Sequence, residues 1–507
     1  MTADRVRLAA VVAALGAVFA VGTWAAWDFV IDDAFITFRY SANLADGYGP
    51  VWNVGQDPVE GFTNFGWMLW LSAFAAMGLD LVVVAKVTSL LLGIGVLVML
   101  LHHARRSSGL VAAVVAGACF AVFLPTYFHL GSGLETMAFA AVVLRATIVG
   151  LDTLAGREVR PWEPPLLLLL AGLLRPEGVL AVLPAFAVWL WQRRGNREAL
   201  LWTSLAAAVG VAYFAWRWSF YGQLLPNTFY MKFGNLDSGS RWLEHTVAML
   251  GPLALLTAVL LSRRSTRAVG ALLLGVVAAT YATYAVSGPT MDYVHRFAFH
   301  AFPVLCLGAG LAVGSLGRRW AYAVAGVGIV AWTALAGVVP RDLPTIVNYG
   351  EDLRRAHVAI GQGLARADVP EAERTLAVSD AGAIPYYSRW DSIDYIGLND
   401  EAIARGGDRT AIVRQAHPTV IVVTSTSPLL PNTAYGLRVR EVTTGYLHVA
   451  QIKMRDGYWQ NVFVVPEWAT QVAAAVTHST EEAMRGHDPG RYDKTLGRWL
   501  DRLRGRA

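Results

Sequence analysis

Apolar runs of about 20 residues recur through the first part of the chain, starting with LAAVVAALGAVFAVGTWAAW. One helix of that length crosses the hydrocarbon core of a bilayer, and a helix satisfies every backbone hydrogen bond internally. The recurrence therefore predicts a polytopic α-helical membrane protein. Arg5 and Arg7 precede the first run, which is longer than the apolar core of a cleaved signal peptide. It reads as an uncleaved first span with its N-terminus in the cytoplasm. Composition agrees: the 507 residues are 55% hydrophobic and 16% charged, against roughly 25% charge in soluble domains. The net charge of +5 does not signal nucleic acid, because the bases sit in short clusters between apolar runs. Cys119 and Cys306 lie inside apolar runs, with no metal-ligand spacing.

Those basic clusters predict topology. His102–Arg106, Arg157–Arg160, Arg193–Arg197, Arg263–Arg267 and Arg318–Arg319 are all expected in the cytoplasm, which gives about eleven spans. The spans expected are the N-terminal run, Leu81–Leu101, Leu110–Phe128, Leu134–Val149, Leu166–Leu174, Val179–Trp191, Ala199–Trp218, Trp242–Leu261, Ala268–Val286, Phe297–Leu316 and Trp320–Val339. Thr63–Met77 must then be interfacial or re-entrant, with Trp67 and Trp70 at headgroup level. The helix break between the two short spans is RPEG, where Pro176 and Gly178 interrupt the pattern. Residues 1–340 form the membrane domain, with a first external loop at about 28–80. After Pro340 the chain becomes charged and mixed. Residues 341–507 are expected to form an extracytoplasmic α/β domain, with strands in TLAVSDAGAIPYYS, TVIVVTST, EVTTGYLHVAQIKM and WQNVFVVP. Helices are expected at Gly350–Ala367 and Glu481–Arg504.

On this topology the polar residues set in apolar context gather on the outer face. They are Asp32, Asp33 and Arg39; Glu60 and Asn64; His129 and Glu135; Arg175 and Glu177; Asn227, Tyr230 and Lys232; and Asp292, Tyr293, His295 and Arg296. Acids this close to a bilayer cost free energy unless they have a task. The set suits transfer of a lipid-borne sugar to a polar acceptor. A carboxylate takes the proton of the attacking hydroxyl, and cations hold the leaving phosphate. Each residue also has a plainer reading: Arg175 and Glu177 can neutralise a helix break, and His295 and Arg296 can snorkel to headgroups.

The stretches DDAFITFRYSANLADGYGPVWNVGQDPVEGFTNF, SGLET, LRPEG, YGQLLPNTFYMK and DYVHRFAFHAFPVL, in that order, resemble recurring segments of polyprenyl-phosphate-sugar-dependent membrane glycosyltransferases of the GT-C fold. They are most similar to one actinobacterial branch, the arabinofuranosyltransferases of cell-wall arabinan synthesis of the terminal β-(1→2) type, and also to pilin-modifying arabinosyltransferases. The resemblance implies a GT-C helical bundle with catalysis on the external face and an aspartate of the first external loop, Asp32 or Asp33, at the reacting centre. It implies a polyprenyl-phosphate sugar donor, with decaprenyl-phosphate arabinofuranose leading, and a cell-envelope glycan acceptor. Donor phosphate binding falls to Arg175, Lys232, His295 and Arg296. Sugar and acceptor binding falls to Arg39, Glu60, Asn64, Glu135, Asn227, Tyr230, Asp292 and Tyr293. No cofactor is required and no residue is assigned as a metal ligand; a divalent cation, if one is used, belongs near the first external loop.

Other readings are a GT-C enzyme using a mannose or glucose donor or a protein acceptor, a lipid-linked substrate flippase, and a non-catalytic scaffold. A transporter predicts paired inverted halves and charges near mid-membrane. This chain has its polar residues at one face and its soluble domain at one end.

Overall fold

The computed structural model describes residues 3–232, 235–316, 319–338 and 346–485. Among these, six helices are long and apolar enough to cross a membrane, or seven counting the pair Tyr293–Phe299 and Phe302–Gly314, which bends by 63°. Shorter apolar helices occupy Phe65–Ala75, Glu163–Leu174, Gly178–Arg193 and Ala323–Val338. The chain is a multi-pass membrane protein.

The helix Leu81–Val122 holds 42 residues, about twice the length one crossing needs. Gly109 breaks it with φ 85° and ψ −173°, a backbone conformation that other residues avoid. The two arms fold back on each other. A Cβ on Gly117 would meet the Leu101 side chain at 2.7 Å, and Phe19 packs against both Gly93 and Phe120. Two spans therefore meet at the basic HHARRSSG turn. The expected break at RPEG is also present: the helix Glu163–Leu174 stops at an extended Arg175, and the next helix starts at Gly178.

Three expectations for the membrane domain change. The span placed at Leu110–Phe128 stops at Val122, and a separate buried helix, Pro125–Gly131, follows. Proline has no N–H to continue the ladder but suits a first turn. The run from Phe297 is broken between Phe299 and Phe302, where Pro303 opens a new helix. In the short helix Phe65–Ala75, Trp70 is exposed as expected, but Trp67 is buried and donates to the Gly133 carbonyl at 3.0 Å. Trp67 is thus packed inside the protein rather than at headgroup level.

The C-terminal domain is α/β. Its strands are β1 (Thr375–Val378), β2 (Asp391–Asp394), β3 (Val420–Ser425), β4 (Thr433–Ala434), β5 (Leu437–Arg438), β6 (Leu447–Arg455) and β7 (Tyr458–Val464). The main sheet has the order β2-β1-β3-β7-β6. β1 is parallel to β2 and β3, and the β3-β7 and β7-β6 pairs are antiparallel. The six residues of β3 are all buried, as the apolar run VIVVTS requires of a central strand. The helix Ala359–Arg366 packs on this sheet together with Ala469–Arg485. AIPYYS, expected as strand, is the helix Ala383–Ser388, and β2 was not expected. Part of EVTTGY is the helix Val439–Thr443. The C-terminal helix lies at Ala469–Arg485, upstream of the expected Glu481–Arg504, whose remainder is outside the described residues.

Candidate active site

The first-loop helix Asp32–Ala45 lies between the membrane helices and the C-terminal domain. Its two leading acids point apart, as neighbours about 100° apart on a helix must. Asp33 lines a cavity of about 790 Å³. Asp32 is buried against the C-terminal domain, accepting from the backbone N–H groups of Gly382 (3.1 Å) and Ala383 (2.9 Å), with His357 Nδ1 at 3.1 Å.

The cavity lining is mixed. Asn64, Glu135, Arg175, Glu177, Tyr284 and Arg296 join Asp33 among its polar residues. Leu180, Leu183, Pro184, Leu225, Phe229 and Val286 are among its apolar ones. The polar side chains form one chain of contacts. Thr37 and Asn64 bond at 3.2 Å, and Asn64 Nδ2 donates to Glu135 Oε2 at 2.8 Å. Arg175 donates to Glu135 (2.5 Å) and to Glu177 (2.7 Å). Tyr284 Oη lies 3.0 Å from Glu177 and 2.8 Å from His300 Nδ1. Arg175 is thus committed to two carboxylates.

Arg296 differs. Its Nη1 is 3.5 Å from Asp33 Oδ2, and its buried Nε has no hydrogen-bond partner among the described residues. The Thr228 hydroxyl, also on the cavity wall, is likewise buried and has none among them. Arg296 follows a strained loop in which Met291, Val294 and His295 all have φ between 50° and 58°. A β-branched residue such as Val294 rarely adopts that conformation. Buried His129 lies 3.1 Å from the Val294 carbonyl through Nε2 and packs its ring on Phe299. Strain held in this way collects at functional sites.

The other expected site residues whose side chains are described lie outside this cavity lining. Arg39 spends its guanidinium on the carbonyls of Trp52 (2.7 Å), Pro385 (2.5 Å) and Trp390 (2.9 Å) and on Asn53 Oδ1 (3.0 Å), which joins the first loop to the C-terminal domain. Glu60 accepts two bonds from buried Arg217, at 2.8 and 2.5 Å. Asn227 is buried, donating its backbone N–H to the Glu60 carbonyl at 3.1 Å, while its Nδ2 has no hydrogen-bond partner among the described residues. Tyr230 is exposed beneath the Arg405 guanidinium at 5.6 Å. Asp292 accepts from Trp242 Nε1 (2.9 Å) and the Phe297 N–H (3.0 Å), with His295 4.0 Å away. The Tyr293 ring stands 6.1 Å from that of Tyr349. The Lys232 side chain is outside the described residues.

Sequence reasoning missed Arg217, Tyr284, His357 and Asp380. Tyr284 carried a weak signal, a hydroxyl near the end of a span. His357 and Asp380 carried none, since their roles come from tertiary contacts. Asp380 accepts from Thr424 (2.6 Å), Tyr458 (2.5 Å) and Gln460 (2.7 Å). Burial raises its carboxyl, but His357 and these donors outweigh that and hold it below its ordinary range. Burial lowers the His357 imidazole, yet the facing carboxylates of Asp32 and Asp380 keep it above its ordinary value. Gln460 Nε2 lies 2.9 Å from His357 Nε2 and donates to Asp380, an arrangement that suits a ring carrying its proton on Nδ1, toward Asp32. Ligating atoms of Asp32, His357 and Asp380 fall within 4.8 Å of one another, close enough for a cation. Each of the three side chains is already hydrogen-bonded within the protein.

Residues 347–470 match a family described as a domain of unknown function, DUF8728. A terminal β-(1→2)-arabinofuranosyltransferase of Mycobacterium tuberculosis (strain ATCC 25618 / H37Rv) is 26% identical over 278 residues, which are 51% of this chain and 43% of that protein. The chain thus matches less than half of that relative's length. Among solved structures, ArnT from Cupriavidus metallidurans bound to undecaprenyl phosphate superposes with a TM-score of 0.59 at 14% identity, covering 91% of this chain and 98% of that one. The apo state of the same protein gives 0.57, also at 14% identity, covering 94% and 99%. The chain therefore shares the fold of ArnT, the GT-C fold, and in sequence it resembles a mycobacterial terminal arabinofuranosyltransferase.

Proposed function

We propose that this protein transfers a sugar from a polyprenyl-phosphate carrier to a hydroxyl of a cell-envelope glycan on the external face of the membrane, with D-arabinofuranose from decaprenyl-phosphate arabinose as the donor sugar. The observation that carries this reading is that one cavity is lined both by the Asp33–Arg296 pair and by a set of large apolar side chains. A phosphate bearing a long lipid tail needs both kinds of lining. The likeness to a fold solved with undecaprenyl phosphate and to an arabinofuranosyltransferase supports the same choice of carrier and sugar.

In this reaction the acceptor oxygen bonds to the anomeric carbon while the bond from that carbon to the phosphate oxygen breaks. Asp33 takes the acceptor proton as general base. The electron pair leaves with the polyprenyl phosphate, whose charge the Arg296 guanidinium stabilises. Asn64, Glu135 and Glu177 stand where sugar hydroxyls would be read. The test is transfer from synthetic polyprenyl-phosphate arabinose to an oligosaccharide by the purified protein. Activity that falls by roughly 10²-fold or more in Asp33→Asn, with donor binding kept, is the expected result. Wild-type turnover in Asp33→Asn overturns the site. Activity with a mannose or glucose donor and none with arabinose keeps the reaction class and replaces the sugar.

A further inference from the structure

The helix that carries Asp33 begins without a local cap: Ile31 occupies the N-cap position and offers no side-chain acceptor. Such a first turn frays unless something else holds it. Ile31 itself is anchored by donating its N–H to the Ser132 carbonyl at 3.2 Å, and the carboxylate of Asp32, the first helical residue, is gripped from more than 300 positions further along the chain. All the donors that the described contacts give to the Asp32 carboxylate belong to the C-terminal domain, namely the N–H groups of Gly382 and Ala383 and the His357 imidazole. Two features look built for this grip. His357 lies in a π-helical turn, Arg354–Val358, inside an otherwise α-helical stretch from Tyr349 to Arg366. The inserted residue re-aims the side chains of that turn, and such turns gather at functional sites. Gly382 leaves no room for a side chain, since a Cβ would sit 2.1 Å from the Asp32 carbonyl oxygen and 2.5 Å from its carboxylate. Behind His357, Gln460 bridges to Asp380, so the imidazole is held from both sides.

We infer that His357 is a positioning residue: by gripping Asp32 it fixes the first turn of the helix Asp32–Ala45 and so aims the adjacent Asp33 at the cavity. The C-terminal domain then serves as half of the active site's framework. The inference rests on the reading of Asp33 as the base.

The test uses the full chain, synthetic polyprenyl-phosphate arabinose and a glycan acceptor. His357→Leu removes the donor to Asp32, while His357→Asn keeps an amide N–H where Nδ1–H stands. In His357→Leu, kcat is expected to fall roughly 10- to 100-fold while donor KM stays within about twofold, because misplacing a reacting group slows the step without weakening lipid binding. His357→Asn is expected to recover most of that loss. Where His357→Leu does not fold, Asp32→Asn gives the same reading, since its amide sets an N–H against a backbone N–H donor. A folded His357→Leu or Asp32→Asn with unchanged kcat overturns the inference. So does a parallel loss of kcat and donor affinity that His357→Asn does not relieve, which marks a merely structural role. Asp33→Asn runs alongside. If it keeps turnover, the underlying reading has failed; if it is inactive while His357→Leu is not, only the positioning role has failed.

Discussion

The Arg296 guanidinium stands 3.5 Å from the Asp33 carboxylate, and its Nε is buried with no hydrogen-bond partner among the described residues. A buried N–H left unsatisfied costs about 1–3 kcal/mol, and a bound phosphate oxygen would satisfy it. Arg175, by contrast, already donates to both Glu135 and Glu177.

Arg296→Ala is therefore expected to lower kcat/KM for the donor by roughly 10- to 100-fold, the equivalent of about 1.5–3 kcal/mol for a charged hydrogen bond. Arg296→Lys keeps the charge but lacks the Nε donor, so it should fall between the two. Steady-state kinetics on folded variants check this. Equal donor use by all three proteins removes Arg296 from the phosphate site.

Glu60 and Arg217 give the opposite expectation. Their buried pair bonds the first loop to the helix Arg197–Tyr221, outside the cavity lining. Removing one partner of a buried pair strands the other charge and costs about 3–5 kcal/mol. Glu60→Gln should lower thermal stability sharply while the folded fraction binds donor lipid as the wild type does. A variant of full stability with weakened sugar recognition would return Glu60 to the sugar site.

How much of this was legible in the sequence depends on where each residue finds its partners. The reversal at Gly109 and the break at Arg175 were legible because local signals mark them: a basic turn ending in glycine, and a Pro-Glu-Gly step. The divergence of Asp32 and Asp33 was legible from helix geometry. Which of them faces the cavity was not, because the answer lies with His357 and Gly382, far along the chain. Arg39 looked like a sugar ligand because most of its acceptors are backbone carbonyls, and those leave no trace in residue identity. AIPYYS resembled a strand by composition, but Gly382 and the Asp32 carboxylate beside it start a helix there.

Topology is tested by fusion. The basic clusters predict that Gly109 lies in the cytoplasm and the C-terminal domain outside. Reporters at Gly109 and at the C-terminus should give cytoplasmic and external signals respectively. The reverse pair would put the Asp33 cavity on the cytoplasmic face and exclude an external acceptor.

Asp394 gives a pH test of how the C-terminal domain is held. It is fully buried at the end of β2 and accepts from the N–H groups of Ile396, Gly397 and Asn399 and from Asn399 Nδ2. Asn399 in turn accepts from Tyr40 of the first loop at 3.2 Å, and Leu398 reaches the cavity wall. Burial pushes the Asp394 carboxyl up to about 6, against the pull of its donors. The unfolded chain has its ordinary value near 3.9. The folded state thus holds the proton more tightly, so this stabilisation is complete below about pH 4 and is lost as pH rises through about 6. Holding the proton across an interval of about two pH units is worth roughly 3 kcal/mol at most. Asp394→Asn cannot titrate. Its absolute stability changes because an acceptor is lost, so only the difference between the two curves matters. Between about pH 4 and 6.5 the wild type should lose roughly 2–3 kcal/mol relative to the variant, and above about pH 7 the difference should stay constant. Denaturant unfolding of both proteins across that range measures it. Parallel curves throughout would show that the carboxyl ionises as freely in the folded domain as in the unfolded chain, contrary to its burial beneath the Asn399–Tyr40 contact.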